Sequence, residues 1–260
     1  MHFLLIPLIY RYTVPDAVLQ KLSELDTSIF GDFEVQTVQD AAGSVVNMDY
    51  FPIKLDMLPY KPNSNQRYTA DEFLNHIRTN INSFIDTDLS SFSPSTITGT
   101  NEAALWNSAN ALGSIIHINI PPPAGDGSVI CSHHSQEKWI FTTIEVPWRF
   151  TQEYDGEHPV SGNREFGYTA NSDGSYTFYT RGVDRITDPL EALAAGAIKN
   201  PFEIPDKLWN SFKDGIYNFV NQNGGSSDTT NVKNSIDRVD WEKIRDVLDG
   251  NRPIGDLGCK

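Results

Sequence analysis

The sequence contains little cysteine. Cys131 and Cys259 are the only two cysteines among 260 residues, so a zinc site built from cysteine pairs is excluded. The two residues could form one disulfide, but their separation in the sequence does not decide this. The cysteines therefore leave the redox compartment open.

Positive charge is scarce as well. The chain has 20 lysines and arginines against 34 aspartates and glutamates, with a formal net charge of −14 at pH 7. Nucleic-acid-binding surfaces are normally basic, and anionic membranes attract basic segments. We therefore expect no nucleic acid and no membrane surface as a partner. Solubility explains the negative charge most simply, and an acidic groove for a cationic partner is the alternative.

Long apolar runs are absent too. No run approaches the ~20 residues that span a bilayer, so we predict no membrane span. The apolar stretch at 3–10, FLLIPLIY, lacks the basic residues and the small-residue cleavage site of a secretion signal. We predict that it is a buried strand. The protein is then either cytoplasmic or exported by a non-classical route.

The motifs of several enzyme classes are missing. The sequence has no Gly-x-Ser-x-Gly, no His-Glu-x-x-His and no phosphate-binding glycine-rich loop. His133 and His134 suggest a metal site with Asp155, Glu157 and His158, but neighbouring residues of a strand point to opposite faces. We therefore predict no metal and no cofactor.

The elements that are present alternate in an order typical of an α+β fold. Thr69 and Glu72 have the spacing of a capping box, and Phe73 and Ile77 begin one apolar helix face. Further helices are predicted at 14–26, 190–198, 205–220 and 241–248, and strands at 33–58, 115–120, 128–132 and 139–185. The prediction is an antiparallel β-meander packed by several amphipathic helices. Residues 1–222 would form a single domain, and 223–260 a linker at 226–231 with a short C-terminal helix that packs on it.

The stretch 139–185 contains a hairpin whose register can be predicted. Asn171-Ser172-Asp173-Gly174 matches a type I turn with Gly174 in the left-handed position. This turn places Glu165 opposite Arg181 and Tyr179 opposite Gly167. One face then carries Arg164, Phe166, Tyr168, Ala170, Tyr176, Phe178 and Thr180. A slip by one residue would instead place Arg164 opposite Arg181, with Asp184, Glu157 or a bound anion between them.

The loop at 155–164 is the best candidate site. Loops on rigid scaffolds commonly carry function, and His158 could act as a general acid or base. Ser161 could be a nucleophile. The alternative is a tight His158-Pro159 turn, in which Ser161 and Asn163 bond their own backbone.

The aromatic residues of this stretch suggest a second role for it. Trp139, Trp148, Tyr168, Tyr176 and Phe178 suit an apolar pocket or a carbohydrate-stacking surface. The alternative is that they form the core of the sheet.

The segments HPVSGNREFGY and YTFYTRGVDR resemble an uncharacterised bacterial protein family from secreted or toxin-associated settings. The resemblance covers roughly residues 74–185. It implies no fold, activity or site residue beyond those derived above.

Three functional hypotheses follow. The first is a bacterial ligand-binding or interaction module whose site lies at the 155–164 loop and the 164–182 hairpin. Its binding residues would be Glu157, Asn163, Arg181, Trp148 and Tyr168, and its partner a small molecule or a protein. The second is a hydrolase- or transferase-type effector enzyme, with His158 as acid/base and Arg164 and Arg181 as the catalytic and anion-holding cations. The third is a homo-oligomer that uses the aromatic face as its interface.

Overall fold

One antiparallel sheet organises the chain. The computed structural model describes residues 12–25, 32–121, 125–147, 156–188, 201–228 and 232–257. The strands are β1 (Glu34–Val35), β2 (Val45–Met57), β3 (Ser91–Pro94), β4 (Ile115–Asn119), β5 (Gly127–His134), β6 (Lys138–Glu145), β7 (Val160–Ala170), β8 (Tyr176–Ile186), β9 (Ser226–Asp228) and β10 (Ser235–Asp240). Their order across the sheet is β10-β2-β8-β7-β6-β5-β4-β3, and β1 and β9 pair with β6 and β2.

Helices cover both faces of this sheet, which confirms the predicted α+β fold. The α-helices are α1 (Asp16–Leu25), α2 (Ala70–Thr79), α3 (Glu102–Trp106), α4 (Glu203–Gln222) and α5 (Trp241–Leu248), and two 3₁₀ helices span Ile81–Ser83 and Ile254–Leu257. On the face that we call the α4 face, Phe166 and Phe178 of the hairpin share a buried core with Phe212 of α4. On the opposite face, Ile244 of α5 packs with Val183.

Helix α2 begins where the capping-box prediction placed it. The Thr69 side chain accepts from the backbone N–H of Glu72, and the Glu72 side chain accepts from the backbone N–H of Thr69. These two bonds satisfy N–H groups that the first turn of a helix leaves without partners. Phe73 and Ile77 are fully buried, so the apolar face predicted from their spacing packs on the sheet.

The β7–β8 hairpin has the predicted register. Gly174 has a φ of 84°, which places it in the left-handed region that glycine tolerates. Glu165 pairs with Arg181 and Gly167 with Tyr179. The Arg181 Nη2 and Glu165 Oε1 atoms are 2.7 Å apart. The turn chemistry therefore determines which side chains face α4.

The C-terminal region differs from the prediction. The expected linker at 226–231 begins with strand β9, which pairs with β2, and β10 pairs with the other end of the same strand. Strand β2 has 13 residues, so its unpaired edge is long enough to receive both. The Ser-Ser-Asp sequence of β9 has little strand propensity, and this pairing is therefore a tertiary effect.

Some predictions concern residues outside the described ranges: the strand at 3–10, the helix at 190–198, and Cys259. Cys131 is buried and carries a free thiol. Within the described ranges, none of the helices combines the length and the apolar character needed to cross a bilayer.

Candidate functional site

A cavity of about 640 Å³ lies between the α4 face and the first half of α4. Its apolar wall includes Phe92, Ile118, Val129, Phe141, Leu208 and Trp209. Exposed Glu203, Ile204 and Lys207 lie at one end of it. We call this space the α4 cavity. Its volume is in the range of sites for small organic ligands.

Arg164 supplies a positive charge in the part of the cavity wall that the sheet forms. Alternation along β7 directs its side chain to the α4 face. Opposite it in the register stands Gly182, and a Cβ atom there would lie 2.3 Å from Arg164 Nη2. The missing side chain of Gly182 therefore makes room for the guanidinium, which stacks on Trp209 with its Cζ 4.2 Å from the ring centroid.

Arg164 is held by a buried carboxylate. Its Nη1 and Nη2 atoms donate to Asp49 Oδ1 and Oδ2 at 2.8 and 2.6 Å, and the Asp49 side chain is fully buried. A bidentate pair of this kind fixes the plane of the guanidinium as well as its position. The guanidinium of Arg164 is consequently already paired with Asp49 when the cavity is empty.

A second carboxyl group, that of Asp184, reaches the wall of the α4 cavity. The side-chain amide of Asn47 donates to both of its oxygens at 3.2 Å and to Asp49 Oδ2 at 3.1 Å. Asn47 is itself oriented, because its Oδ1 accepts a hydrogen bond from Arg238. Arg164 Nη2 lies 3.8 Å from Asp184 Oδ2, farther than from Asp49.

The environment of Asp184 disfavours its ionised form. Burial, and then the negative charge of Asp49, raise the pKa of Asp184 to about 7, against the smaller opposing effects of Arg164 and Asn47. A carboxyl group with this pKa can give or take a proton near neutral pH. Asp184 is therefore a group in the cavity wall that is suited to proton exchange or to pairing with a cation.

Asp184 belongs to a group of five charged side chains. Arg238 donates to both oxygens of Asp206 on α4, at 2.7 and 2.9 Å. Three carboxyl groups (Asp49, Asp184 and Asp206) and two guanidinium groups (Arg164 and Arg238) thus form one group, which we call the Asp184 charge cluster. It is neutral when Asp184 is protonated and carries one negative charge when Asp184 is ionised.

His158 lines the same cavity but is held in its own turn. Its Nδ1 lies 2.8 Å from the carbonyl oxygen of Val160 and 3.2 Å from the backbone nitrogen of that residue. The ring packs on Gly127, where a Cβ atom would lie 2.3 Å from His158 Cδ2. Gln36 accepts from the backbone N–H of His158 at 2.7 Å. The structure therefore brings His158 and Arg164 to one cavity and ties His158 to the local backbone, as the alternative expected. The other part of that alternative differs, because Ser161 Oγ bonds Thr187 Oγ1 at 2.8 Å and Asn163 Oδ1 accepts from Thr142.

The other predicted residues are distributed over both faces. Arg181 lies on the face away from α4 and pairs with Glu165. Arg164 and Arg181 therefore do not meet around one anion, contrary to the enzyme hypothesis, because the pleat of the hairpin separates them.

Four further predicted binding residues have separate positions. Asn163 lines the α4 cavity and accepts from Thr142 Oγ1 at 2.7 Å. Glu157 is exposed, and Tyr168 packs on Phe178 with centroids 5.3 Å apart. Trp148 lies outside the described residues. Of the five predicted binding residues, Asn163 is thus placed at the cavity, while Glu157, Tyr168 and Arg181 are not among its lining.

The aromatic residues predicted for a pocket or a core belong mainly to the core. Trp139 and Phe178 are buried, and Tyr168 and Tyr176 pack against the same core. Among the described residues, no three His, Cys, Asp or Glu side chains are grouped so that they could hold a metal ion.

Sequence reasoning missed most of the Asp184 charge cluster. Asn47 and Asp49 alternate on a strand rich in apolar residues, and both are fully buried. A carboxylate in such a strand needs a cationic or hydrogen-bonding partner, so the presence of Asp49 in this strand indicates from the sequence that a buried partner exists. The partner could not be identified, because Arg164 is 115 positions away in the sequence.

Comparison with family models and with curated proteins finds no match to this chain. Solved structures give weak matches. A norcoclaurine synthase point mutant from Thalictrum flavum, in complex with a transition-state analogue, matches with 8% identity and a TM-score of 0.37, over 67% of this chain and 97% of that chain. The di-domain ARO/CYC StfQ of the steffimycin biosynthetic pathway matches with 10% identity and a TM-score of 0.37, over 70% of this chain and 50% of that chain. Protein NE0264 from Nitrosomonas europaea matches with 10% identity and a TM-score of 0.33, over 67% and 95% of the two chains. No functional conclusion rests on similarities this low.

Proposed function

We propose that the protein binds a small, largely apolar molecule in the α4 cavity. The observation that carries this proposal is the cavity itself: about 640 Å³ beside the sheet, with an apolar wall and a few oriented polar groups. Ligand sites commonly combine these two features, because apolar walls provide affinity and polar groups fix orientation.

The polar groups of the site are already in place. Arg164 is fixed between Asp49 and the ring of Trp209, so little side-chain entropy remains to be lost when a ligand binds. A site with fixed polar groups retains more of its interaction free energy as affinity. The arrangement therefore supports binding as the function, with His158, Pro159 and the first residues of β7 forming part of the wall.

A neutral probe tests cavity binding without any contribution from charge. We choose 6-phenylhexan-1-ol and measure its dissociation constant by calorimetry, with tryptophan fluorescence as a second signal from Trp209. Val160 lines the cavity, and the Val160→Phe variant places a larger side chain in it. We expect this variant to weaken binding by about tenfold or more, which corresponds to about 1.4 kcal/mol.

Val45→Phe is the matched control. Val45 also stands at the beginning of a strand, is 38% exposed and is not part of the cavity wall. The Val45→Phe variant should bind the probe with the same affinity as the unmodified protein. Equal affinities of all three proteins, or no binding by the unmodified protein, would exclude the α4 cavity as the site.

A further inference from the structure

We infer that the α4 cavity is selective for amphiphilic cations: molecules with an apolar body and a protonated amine that pairs with Asp184. This inference rests on the proposed function and adds the chemical class of the ligand. It follows from how the charges in the cavity wall are already distributed among their partners.

Both guanidinium groups of the Asp184 charge cluster are committed to other carboxylates. Arg164 forms its bidentate pair with Asp49, and Arg238 Nη2 donates to both oxygens of Asp206. Among the described residues, Asp184 accepts hydrogen bonds from the shared amide of Asn47, and Arg164 lies farther away. Its side chain is 13% exposed, whereas that of Asp49 is fully buried. Of the three carboxyl groups in the cluster, Asp184 is the one that lines the cavity, and a ligand can reach it there.

The charge count decides which ligand head group fits. With Asp184 ionised, the cluster has one negative charge in excess, and an ammonium group would neutralise it. A ligand carboxylate would add a second negative charge in a space of low polarity, where repulsion is poorly screened. Lys207 and Glu203, which also line the cavity, pair with each other at 2.7 Å, so these two residues together add no net charge.

Among the described residues, the charged side chains that contact Asp184 or its partners come from four elements. Asp49 comes from β2, Arg164 from β7, Arg238 from β10 and Asp206 from α4. His158 lines the same cavity from the 156–160 turn. Cation selectivity should therefore increase as Asp184 loses its proton and should decrease at acidic pH.

Three probes of equal length separate the possibilities: 6-phenylhexylammonium, 6-phenylhexan-1-ol and 6-phenylhexanoate. At about pH 8.5 we expect the ammonium to bind about tenfold or more tightly than the alcohol, and the carboxylate most weakly, because hydrogen bonds to charged groups are the strong ones. At about pH 5.5 the ratio of ammonium to alcohol affinity should fall several-fold, because protonation removes the charge of Asp184. The ammonium itself stays protonated at both pH values.

Asp184→Asn keeps the shape of the side chain and removes its charge. We expect this variant to lose the preference for the ammonium probe over the alcohol probe. Asp56→Asn is the control: it removes the same charge at an exposed position outside the cavity wall and should keep the preference. If Asp184→Asn does not fold, the cation selectivity is still tested by the pH dependence of the ammonium-to-alcohol affinity ratio in the unmodified protein.

The outcomes distinguish the two proposals. Equal binding of ammonium and alcohol at the higher pH, or tightest binding of the carboxylate, would overturn the cation selectivity and leave the cavity as a binding site. A preference retained by Asp184→Asn would overturn it as well. Absence of binding by all three probes would contradict the proposed function and this inference together.

Discussion

Replacing Asp184 by Asn should stabilise the protein at neutral and alkaline pH. Asp184 is ionised above pH 7 at a free-energy cost, because its pKa rises from the ordinary value of 3.8 to about 7 in the folded protein. One pKa unit corresponds to about 1.36 kcal/mol. The cost of ionised Asp184 to the free energy of unfolding is therefore at most about 4 kcal/mol. Asn avoids this cost and can still accept the hydrogen bond from Asn47.

The direction of the pH dependence follows from proton binding. Between its two pKa values, Asp184 binds a proton in the folded state and not in the unfolded state. The contribution of this residue to stability therefore decreases as the pH rises from about 4 to about 7. Below about pH 4 the residue is protonated in both states, and Asp184→Asn should differ little from the unmodified protein.

Urea unfolding at a series of pH values measures this difference. The gain in stability of Asp184→Asn over the unmodified protein should grow from near zero at about pH 4.5 to between about 1 and 4 kcal/mol at about pH 8. Asp56→Asn serves as the control and should show no such growth. A difference that is independent of pH, or a variant less stable than the unmodified protein at the higher pH, would refute the assigned environment of Asp184.

Three further predictions concern the same face of the sheet. Gly182→Ala should displace Arg164, since its Cβ would lie 2.3 Å from Nη2, and should lower the free energy of unfolding by more than about 2 kcal/mol. Gly255→Ala is the control, because a Cβ atom there would have nothing within 4 Å. Equal effects of the two substitutions in thermal unfolding would contradict the close approach of Arg164 to Gly182. Arg164→Met should cost about 3–5 kcal/mol in urea unfolding, because it leaves a buried carboxylate without its partner; a loss below about 1 kcal/mol would show that the pair is not buried. In a Cys259→Ser background, Cys131 should react with a thiol reagent at about pH 8 only after denaturation, because burial raises its pKa to about 12. Rapid labelling of the folded protein would contradict the burial of Cys131.

The sequence was sufficient to predict those parts of the fold that depend on local interactions. The capping box of Thr69 and Glu72 set the start of α2, and the turn ending at Gly174 set the hairpin register. Both signals arise within a few residues. Strand β9 was missed because its Ser-Ser-Asp sequence acquires a strand conformation only by pairing with β2.

The candidate site was only partly predictable for the same physical reason. Arg164 was recognised as a charged residue on an apolar face, and His158 as part of the neighbouring turn. The partners that give Arg164 its role, Asp49 and Trp209, come from β2 and α4, and a single sequence carries no record of such distant contacts. The environment of Asp184 depends on the same contacts.

The most direct test of ligand binding in the α4 cavity is to locate a bound probe by intermolecular nuclear Overhauser effects. With 6-phenylhexylammonium bound, the aromatic protons of the probe should contact the methyl groups of Ile118, Val129 and Leu208, which line the cavity. Contacts to the methyl groups of Val46 and Val183 instead, on the opposite face of the sheet, would contradict this assignment.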